Sequence, residues 1–370
     1  MHVGVRRVIL YYISQLKANG WNVEIGMPKS GKIYSGQLHF SKDEQNTSFM
    51  PEPYWSSNSN PAISVERISQ NSEKISVKWS ENIVNPDGYD VNVVTAPWIC
   101  TLGVPPMPRV VGIVYDLVPN LLASGCLRFP NYINIYDFSQ QHDLGFRYYL
   151  ANADRVICIS DSTRNDFLNL YRTAHKLQSI ITDIPFEYDC DIPVANLDTQ
   201  TVLLVNVLDW RKNLKTIEQV LLNTNKKTRF KLRVVGKERI DIKDALKFFT
   251  KMADLGIDVE WHRDVDDNVL KHQYSQASIL LFPSIYEGLG LPILEAQANG
   301  VPVITSNGSS CAEINLNSDL CFESNDVDAM AESLTNILLG KANVMSGNNL
   351  KASLDRFLLP KQNPVKAFSL

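Results

Sequence analysis

The sequence lacks the marks of several protein classes. No apolar run reaches the ~18 residues that a membrane-spanning helix needs. No leader with a charged start, an apolar middle and a small-residue cleavage site is visible. Cysteine is sparse and scattered: Cys100, Cys126, Cys158, Cys190, Cys311 and Cys321 stand far apart. No spacing among them suits zinc, and nothing looks like a disulfide framework. A reducing compartment, the cytoplasm, is the expectation. His142, His175, His262 and His272 show no paired metal-ligand spacing. Basic excess is missing too. Residues 1–190 hold 16 Lys and Arg against 18 Asp and Glu, and 191–370 hold 20 against 22, in keeping with the net charge of −4. Neither half carries the electrostatic footprint of a nucleic-acid binder, so no nucleic-acid partner is expected. No short-period repeat is visible.

What is present is ordinary in bulk and informative in pattern. A chain of 370 residues with 44% hydrophobic and 21% charged residues has room for two α/β domains with full cores. Val3 to Ala18 reads as a helix ending at Asn19-Gly20, and Trp21 to Ile25 as a strand. Met27 to Pro86 is polar and irregular, with a hairpin expected between Ile63–Ile68 and Lys74–Trp79. The region reads as an insertion, either on the acceptor side of a site or a surface excursion without a role. Strands are expected at Val91–Thr95, Arg109–Tyr115, Arg155–Ile159 and Gln178–Ile184, with helices at Asp137–Asn152 and from Ser160-Asp161 to about Tyr171. That alternation predicts a Rossmann-like domain over 1–190. Pro185 to Gln200, with Pro185 and Pro193 and no periodicity, is the candidate linker. A second series starts at Val202–Leu208 and gives a Rossmann-like domain over 191–370.

The densest stretch is Leu280 to Glu313. A short apolar strand ends at Phe282-Pro283. A loop with Gly288 and Gly290 follows, then a helix that opens at Leu291-Pro292 and stops at Asn299-Gly300, then a buried strand from Val301 to Thr305. Proline near a helix start and glycine just past its end is the expected polarity. Strand, glycine loop, helix and strand make a βαβ unit, hence a parallel sheet. Ligands bind such sheets beyond the carboxyl ends of the strands. Glycine lets backbone N–H groups come close to a ligand, and a helix start favours anions. Glu287 lies in this loop and Glu295 in the helix after it. Ser310 to Glu313 fits a capping box, Ser-x-x-Glu, and that local role is the preferred one.

The string Pro283-Ser284-Ile285-Tyr286-Glu287-Gly288-Leu289-Gly290-Leu291-Pro292-Ile293-Leu294-Glu295-Ala296 resembles the C-terminal signature of the retaining, group-one nucleotide-sugar glycosyltransferases of GT-B fold, of mannosyltransferase-like type. Leu204 to Asn213, Tyr115-Asp116-Leu117-Val118-Pro119 and Ala153 to Ser160 are similar to further segments of that family, as is Gly4-Val5-Arg6-Arg7-Val8. The resemblance implies a GT-B fold, two Rossmann-like domains facing a central cleft. In the family a strand and a loop precede the segment like Gly4–Val8, so this chain reads as clipped at its start. From Lys341 the likeness decays, and a short or altered tail is expected in place of the helix that usually crosses back to the first domain.

The resemblance also implies roles. Arg211 and Lys212 would contact the donor diphosphate, Gly288, Leu289 and Gly290 would line the donor loop, Glu287 would face the transferred sugar, and Glu295 would accept hydrogen bonds from the ribose hydroxyls. The same residues have plain readings. Arg211 and Lys212 precede Asn213, read as an N-cap. Two exposed cations at a helix start oppose its dipole by ~0.3–1 kcal/mol each, so removing either is expected to leave the fold level or more stable. Asn206 stands where the family usually has glycine. Asp116 ends a strand of the first domain, where many relatives have His-Asp and this chain has Tyr115-Asp116. Asp116 in catalysis and Asp116 as a loop cap both stay open. The implied reaction moves a hexose or deoxyhexose from a nucleotide-diphosphate sugar to a saccharide or lipid-linked saccharide acceptor, with retention, no metal and no cofactor. A lipid-linked acceptor would bring peripheral contact with the inner membrane face. A non-catalytic nucleotide-sugar-binding protein is the alternative, and an epimerase of the same fold a third.

Overall fold

The computed structural model of the chain describes residues 3–42, 63–66, 73–128, 136–172, 174, 177, 179–188, 200–263 and 265–370. Helix α1 (Val3–Ala18) opens it, as its apolar spacing predicts, and buries Val5, Val8, Tyr12 and Leu16 along one face. Gly20 ends it in the left-handed region at φ 84°, where a side chain would be strained. The expected strand at Trp21–Ile25 is displaced: β1 runs Ile25–Lys29 and pairs with the antiparallel β2 (Lys32–Lys42). β3 (Ile63–Glu66) and β4 (Glu73–Val84) lie where a hairpin was expected, but they do not pair. β4 instead runs antiparallel to β2, and β3 adds to the edge of a different sheet. Period-two patterning finds strands in such a polar segment but does not choose their partners.

The N-terminal half then builds a parallel sheet from β5 (Asn92–Val94), β6 (Val110–Val114), β7 (Ala153–Cys158) and β8 (Ser179–Thr182), in that spatial order. Between them run α2 (Val118–Ala123), α3 (Tyr136–Asn152) and α4 (Asp161–Leu170). The Ser160 side chain accepts from the Thr163 N–H and so caps α4, as its sequence position predicts. Of the expected linker, residues 189–199 lie outside the described residues.

The C-terminal half alternates strictly: β9 (Thr201–Val205), α5 (Leu214–Asn225), β10 (Lys231–Val235), α6 (Ile242–Asp254), β11 (Asp258–His262), α7 (Asp267–Ser275), β12 (Ile279–Phe282), α8 (Leu291–Ala298), β13 (Val303–Ser306), α9 (Ser309–Ile314), β14 (Cys321–Phe322) and α10 (Val327–Leu338). Its parallel sheet has the order β14-β13-β12-β9-β10-β11-β3. The central strands β9, β12 and β13 are buried on both faces, which is why β9 and β12 are dominated by apolar residues. From β9 the chain first winds one way, to β10 and β11, then returns to place β12 on the other side of β9. That reversal is a topological switch point, and the loops after β9 and β12 flank the crevice it opens.

The tail corrects another expectation. α11 (Gly347–Leu358) packs on α8, and α12 (Pro364–Phe368) returns to the N-terminal half against α1. Phe368 meets Tyr12 edge to face, with ring centroids 5.1 Å apart. Arg155 donates to the carbonyls of Lys366, at 2.7 Å, and of Ser369, at 2.6 Å. Asp183 accepts from the Asn363 N–H at 2.7 Å. The sequence at Leu358-Leu359-Pro360 departs from the family, yet the crossing is made by a short helix bearing one large aromatic. Among the described residues, one of three core clusters runs through both halves, from Val8 and Tyr12 through Val111 and Ile157 to Leu280, Leu294, Leu354 and Phe368. Phe368→Ala is therefore expected to lower stability by about 3 kcal/mol, the scale of a buried aromatic truncated to alanine. Urea denaturation checks this; a loss under about 0.5 kcal/mol, the size of an ordinary surface substitution, would mean that the tail is not part of the core.

Candidate active site

The switch point brings Arg211, Lys212 and Glu287 together. After β9 the chain passes Asn206, left-handed at φ 53°. Asparagine tolerates that conformation better than most residues, which accounts for its standing where glycine is usual. A tight turn, Trp210–Lys212, follows and is capped by Asp209, whose Oδ1 accepts from the Arg211 N–H at 2.9 Å. Asn213 holds the N-cap position of α5 that its place in the sequence suggests, but its side chain does not cap the helix. It too is left-handed, at φ 63°, and its amide donates to the carbonyls of Ser324 (2.6 Å) and Pro283 (3.3 Å). It thus ties this turn to the loop after β12. The Ile285 N–H donates to the Arg211 carbonyl at 2.9 Å and closes the same seam.

Lys212 and Glu287, each 6% exposed, form a buried ion pair between Nζ and Oε1. Ser284 Oγ donates to Glu287 Oε1 at 2.6 Å, and Arg211 Nη1 lies 4.0 Å from Oε2. The Lys212 ammonium also sits 4.5 Å from the centre of the Phe282 ring. Ser309 Oγ accepts from the Glu287 N–H at 2.9 Å, and Ser310 Oγ donates to the Glu287 carbonyl at 3.1 Å. Burial alone would raise the Glu287 carboxyl, but Lys212 and then Arg211 outweigh it and hold the group below the ordinary carboxylate range. Burial pulls the Lys212 ammonium below its usual value, with Glu287 opposing the shift and Arg211 adding to it. Lys212 is therefore no exposed helix-start cation. Removing it strands a buried carboxylate, so the expectation that the fold would be level without it is overturned.

Glu295, 9% exposed, sits one turn into α8 and has different partners. Tyr274 at the end of α7 donates to its Oε2 at 2.7 Å, and Arg7 of α1 pairs with its Oε1 from the other half. Burial, then the Glu295 charge, push the Tyr274 phenol well above its ordinary value, so it stays a donor. Arg7, Tyr274 and Glu295 line a cleft of about 420 Å³ between the halves, with Phe186, Tyr188 and Lys271.

The glycine loop between the two glutamates rests on the N-terminal half. A Cβ on Gly288 would overlap the Tyr115 carbonyl oxygen and crowd Asp116, so only glycine fits. The Gly288 carbonyl accepts from Ser160 Oγ at 2.6 Å and lies 3.0 Å from Thr163 Oγ1. Leu289 is buried in the shared core. Gly290, at φ 86°, turns the chain into α8. Asp116 reaches this loop and caps its own, accepting from the Val118 N–H at 3.1 Å. Tyr115 donates to the Thr95 carbonyl at 2.5 Å, a structural bond.

Residues that sequence reasoning passed over are Arg7, Tyr274, Ser284, Ser309 and His142. The first four lie far in sequence from the carboxylates they serve or carry no local signal. His142 had been considered only as a metal ligand. It is buried against Trp98 and Phe138, ring centroids 5.1 and 4.5 Å away, and burial takes its pKa down to about 4 although the Asp116 charge opposes this. The capping-box reading of Ser310 and Glu313 is also overturned. α9 is preceded by Gly308 without a side-chain cap, and Glu313 accepts from two N–H groups of α4, in the other half.

Two Rossmann-like sheets with a cleft between them define the GT-B class of fold. The crystal structure of Staphylococcus aureus TarM in complex with fondaparinux, α-GlcNAc-glycerol and UDP is similar at a TM-score of 0.56 and 15% identity, over 74% of this chain and 53% of that one. That of Anabaena HepE in complex with UDP and glucose is similar at 0.54 and 14%, over 76% of each chain. Residues 190–351 match the model for glycosyl transferases group 1. The O-antigen chain mannosyltransferase B of Escherichia coli is 28% identical over 198 residues. The match covers 49% of this chain and 51% of that protein, so the chain spans about half the length of this relative.

The ion pair fixes an acid response. Glu287 titrates lower in the folded chain than in the unfolded one, so its contribution is present above the ordinary carboxylate value near 4.5 and is lost as pH falls through the depressed one. Glu287→Gln is expected to cost about 3–5 kcal/mol at neutral pH, because Lys212 is left buried and unpaired. The difference from wild type should shrink as pH falls below 4.5. Urea titrations from neutral to acid pH measure it; a pH-independent difference would separate the pair from the stability of the fold.

Proposed function

We propose that the chain is a retaining glycosyltransferase that moves a hexose or deoxyhexose from a nucleotide-diphosphate sugar to a saccharide or lipid-linked saccharide acceptor. The observation that carries the proposal is Glu287, held ionised by Lys212 and Arg211 at the switch point and carried on a loop that touches Asp116. In this reading residues 191–370 bind the donor and 1–190 present the acceptor. Departure of the nucleoside diphosphate develops negative charge. Arg211, Lys212 and the backbone N–H groups at Gly288–Gly290 and the start of α8 face that charge and stabilise it. Lys212 can serve the phosphate only by sharing its donors between it and Glu287, so Arg211 carries the larger part. Glu287 faces the sugar, Glu295 the ribose. Attack comes from the leaving-group face, assisted by the departing phosphate, since no carboxylate is assigned as a covalent nucleophile. Work in the cytoplasm, with peripheral contact at the inner membrane face for a lipid-linked acceptor, fits this chemistry.

The reading of the chain as a binder without transferase activity draws on Tyr115, whose hydroxyl is spent on a backbone carbonyl where many relatives have histidine. A panel of nucleotide sugars with saccharide and lipid-linked acceptors decides between them. Transfer with retained anomeric configuration is expected, also in excess chelator. Binding without product, or isomerised donor, would overturn the proposal.

Two substitutions separate the roles. Arg211→Ala should weaken nucleoside-diphosphate binding by roughly 1.5–3 kcal/mol, the scale of hydrogen bonds to charged groups. Calorimetry that finds unchanged affinity would sink the phosphate assignment. Glu295→Gln removes binding shared by ground and transition states, so KM should rise with kcat nearly kept. A fall in kcat at unchanged KM would place Glu295 in the chemistry.

A further inference from the structure

Helix α4 begins with N–H groups that have no partner within the helix. Ser160 Oγ serves Thr163 at 3.0 Å. The N–H groups of Asp161 and Ser162 are served from the opposite half, by Glu313 Oε1 and Oε2, each at 3.0 Å. A carboxylate that takes two adjacent N–H groups at a helix start is matched both in hydrogen bonds and in charge. The same turn of α4 holds the glycine loop, through Ser160 and Thr163 on the Gly288 carbonyl. One turn further along, Asp166 accepts from the Tyr286 hydroxyl at 2.6 Å. Five side chains, Ser160, Thr163, Asp166, Tyr286 and Glu313, thus join the first turns of α4 to the segment 286–313, and Ser160, Thr163 and Asp166 touch the loop that carries Glu287. Separating the halves would return the Asp161 and Ser162 N–H groups to water and free Gly288 from Tyr115 and Asp116.

We infer that Glu313 is a positioning residue: from the C-terminal half it caps α4 of the N-terminal half and so holds the Tyr286–Gly290 loop in register with Asp116. Its effect on transfer rests on the donor-loop reading given above; its effect on the docking of the halves does not. Glu313 touches no reacting group. It acts by keeping the crevice closed around the loop, which excludes water and aligns the two sides of the site.

The test uses the full chain and two variants, Glu313→Ala and Glu313→Gln. Hydrogen exchange reads the Asp161 and Ser162 amides, small-angle scattering reads the separation of the halves, and turnover and nucleoside-diphosphate affinity read the site. Glu313→Ala should speed exchange at those amides at least tenfold and enlarge the radius of gyration. Turnover should fall about tenfold, donor hydrolysis should rise relative to transfer, and diphosphate affinity should stay within twofold. Glu313→Gln keeps one acceptor oxygen and should fall between. Unchanged exchange, or faster exchange with unchanged turnover, would overturn the inference. So would an equal loss of diphosphate affinity and turnover, which would mark a residue of the donor site. If wild type transfers no sugar, the functional reading fails by itself. Exchange and scattering then decide the clamp alone, with no change in either overturning it.

Discussion

The buried pair of Lys212 and Glu287 is the contact on which the arrangement of the site depends. Each charge would be expensive to hold at 6% exposure alone. Together, and with Ser284 and Arg211 on the carboxylate, they are tolerable. The pair can form only because β12 returns beside β9, which sets the loops after these strands edge to edge. Sheet topology therefore decides the electrostatics. Asn213 and the Ile285 N–H stitch the same two loops with backbone-directed bonds, so the pair has little freedom to open. Both partners are held charged by each other, a state suited to receiving a second anion next to Arg211.

A second constraint acts between the halves. Each half buries a cluster of its own, and a third cluster, from Val8 and Tyr12 to Leu294 and Phe368, is shared between them. α1 gives Tyr12 to Phe368 of the tail and Arg7 to Glu295, so one helix is packed by the C-terminal end of the chain and tied to the cleft at once. Gly288 marks a close approach of the two backbones. A side chain there would push the Tyr115 carbonyl away and separate Asp116 from the loop. Packing and polar capping thus favour the same relative placement of the halves, which is what a site made from both requires.

Legibility in the sequence followed the physics of each signal. α1, the alternation of the C-terminal half and the unit from β12 to β13 were legible, because apolar periodicity and helix punctuation are local and strong. Glu287, Glu295, Arg211 and Lys212 were found by resemblance to a motif, and the fold places three of them together at the switch point. What stayed hidden depends on contacts distant in sequence. Glu313 satisfies a local capping pattern, yet its carboxylate is taken by a helix 150 residues away, as the pair with Asp161 at a separation of 152 shows. Asn213 has the right residue type for an N-cap, but its left-handed backbone turns the side chain to Ser324. The partner of β4 could not be chosen by patterning, and the tail crosses back through a helix too short to announce itself.

The two glutamates of one motif end in different electrostatic circumstances, and the helix between them is the cause. Glu287 lies in the loop, where the chain is still at the carboxyl edge of the sheet. Its strongest partner, Lys212, belongs to the same half. Glu295 comes after the helix has completed a turn, which carries it to the face that α7 and α1 cover. One of its partners therefore belongs to the other half. Any change in how the halves sit must alter the charge around Glu295 directly, through Arg7, whereas it reaches Glu287 indirectly, through the Gly288 contact with Tyr115 and Asp116. The counter-charge of Glu287, Lys212, stays within its own half, so the pair itself does not have to break when the halves shift.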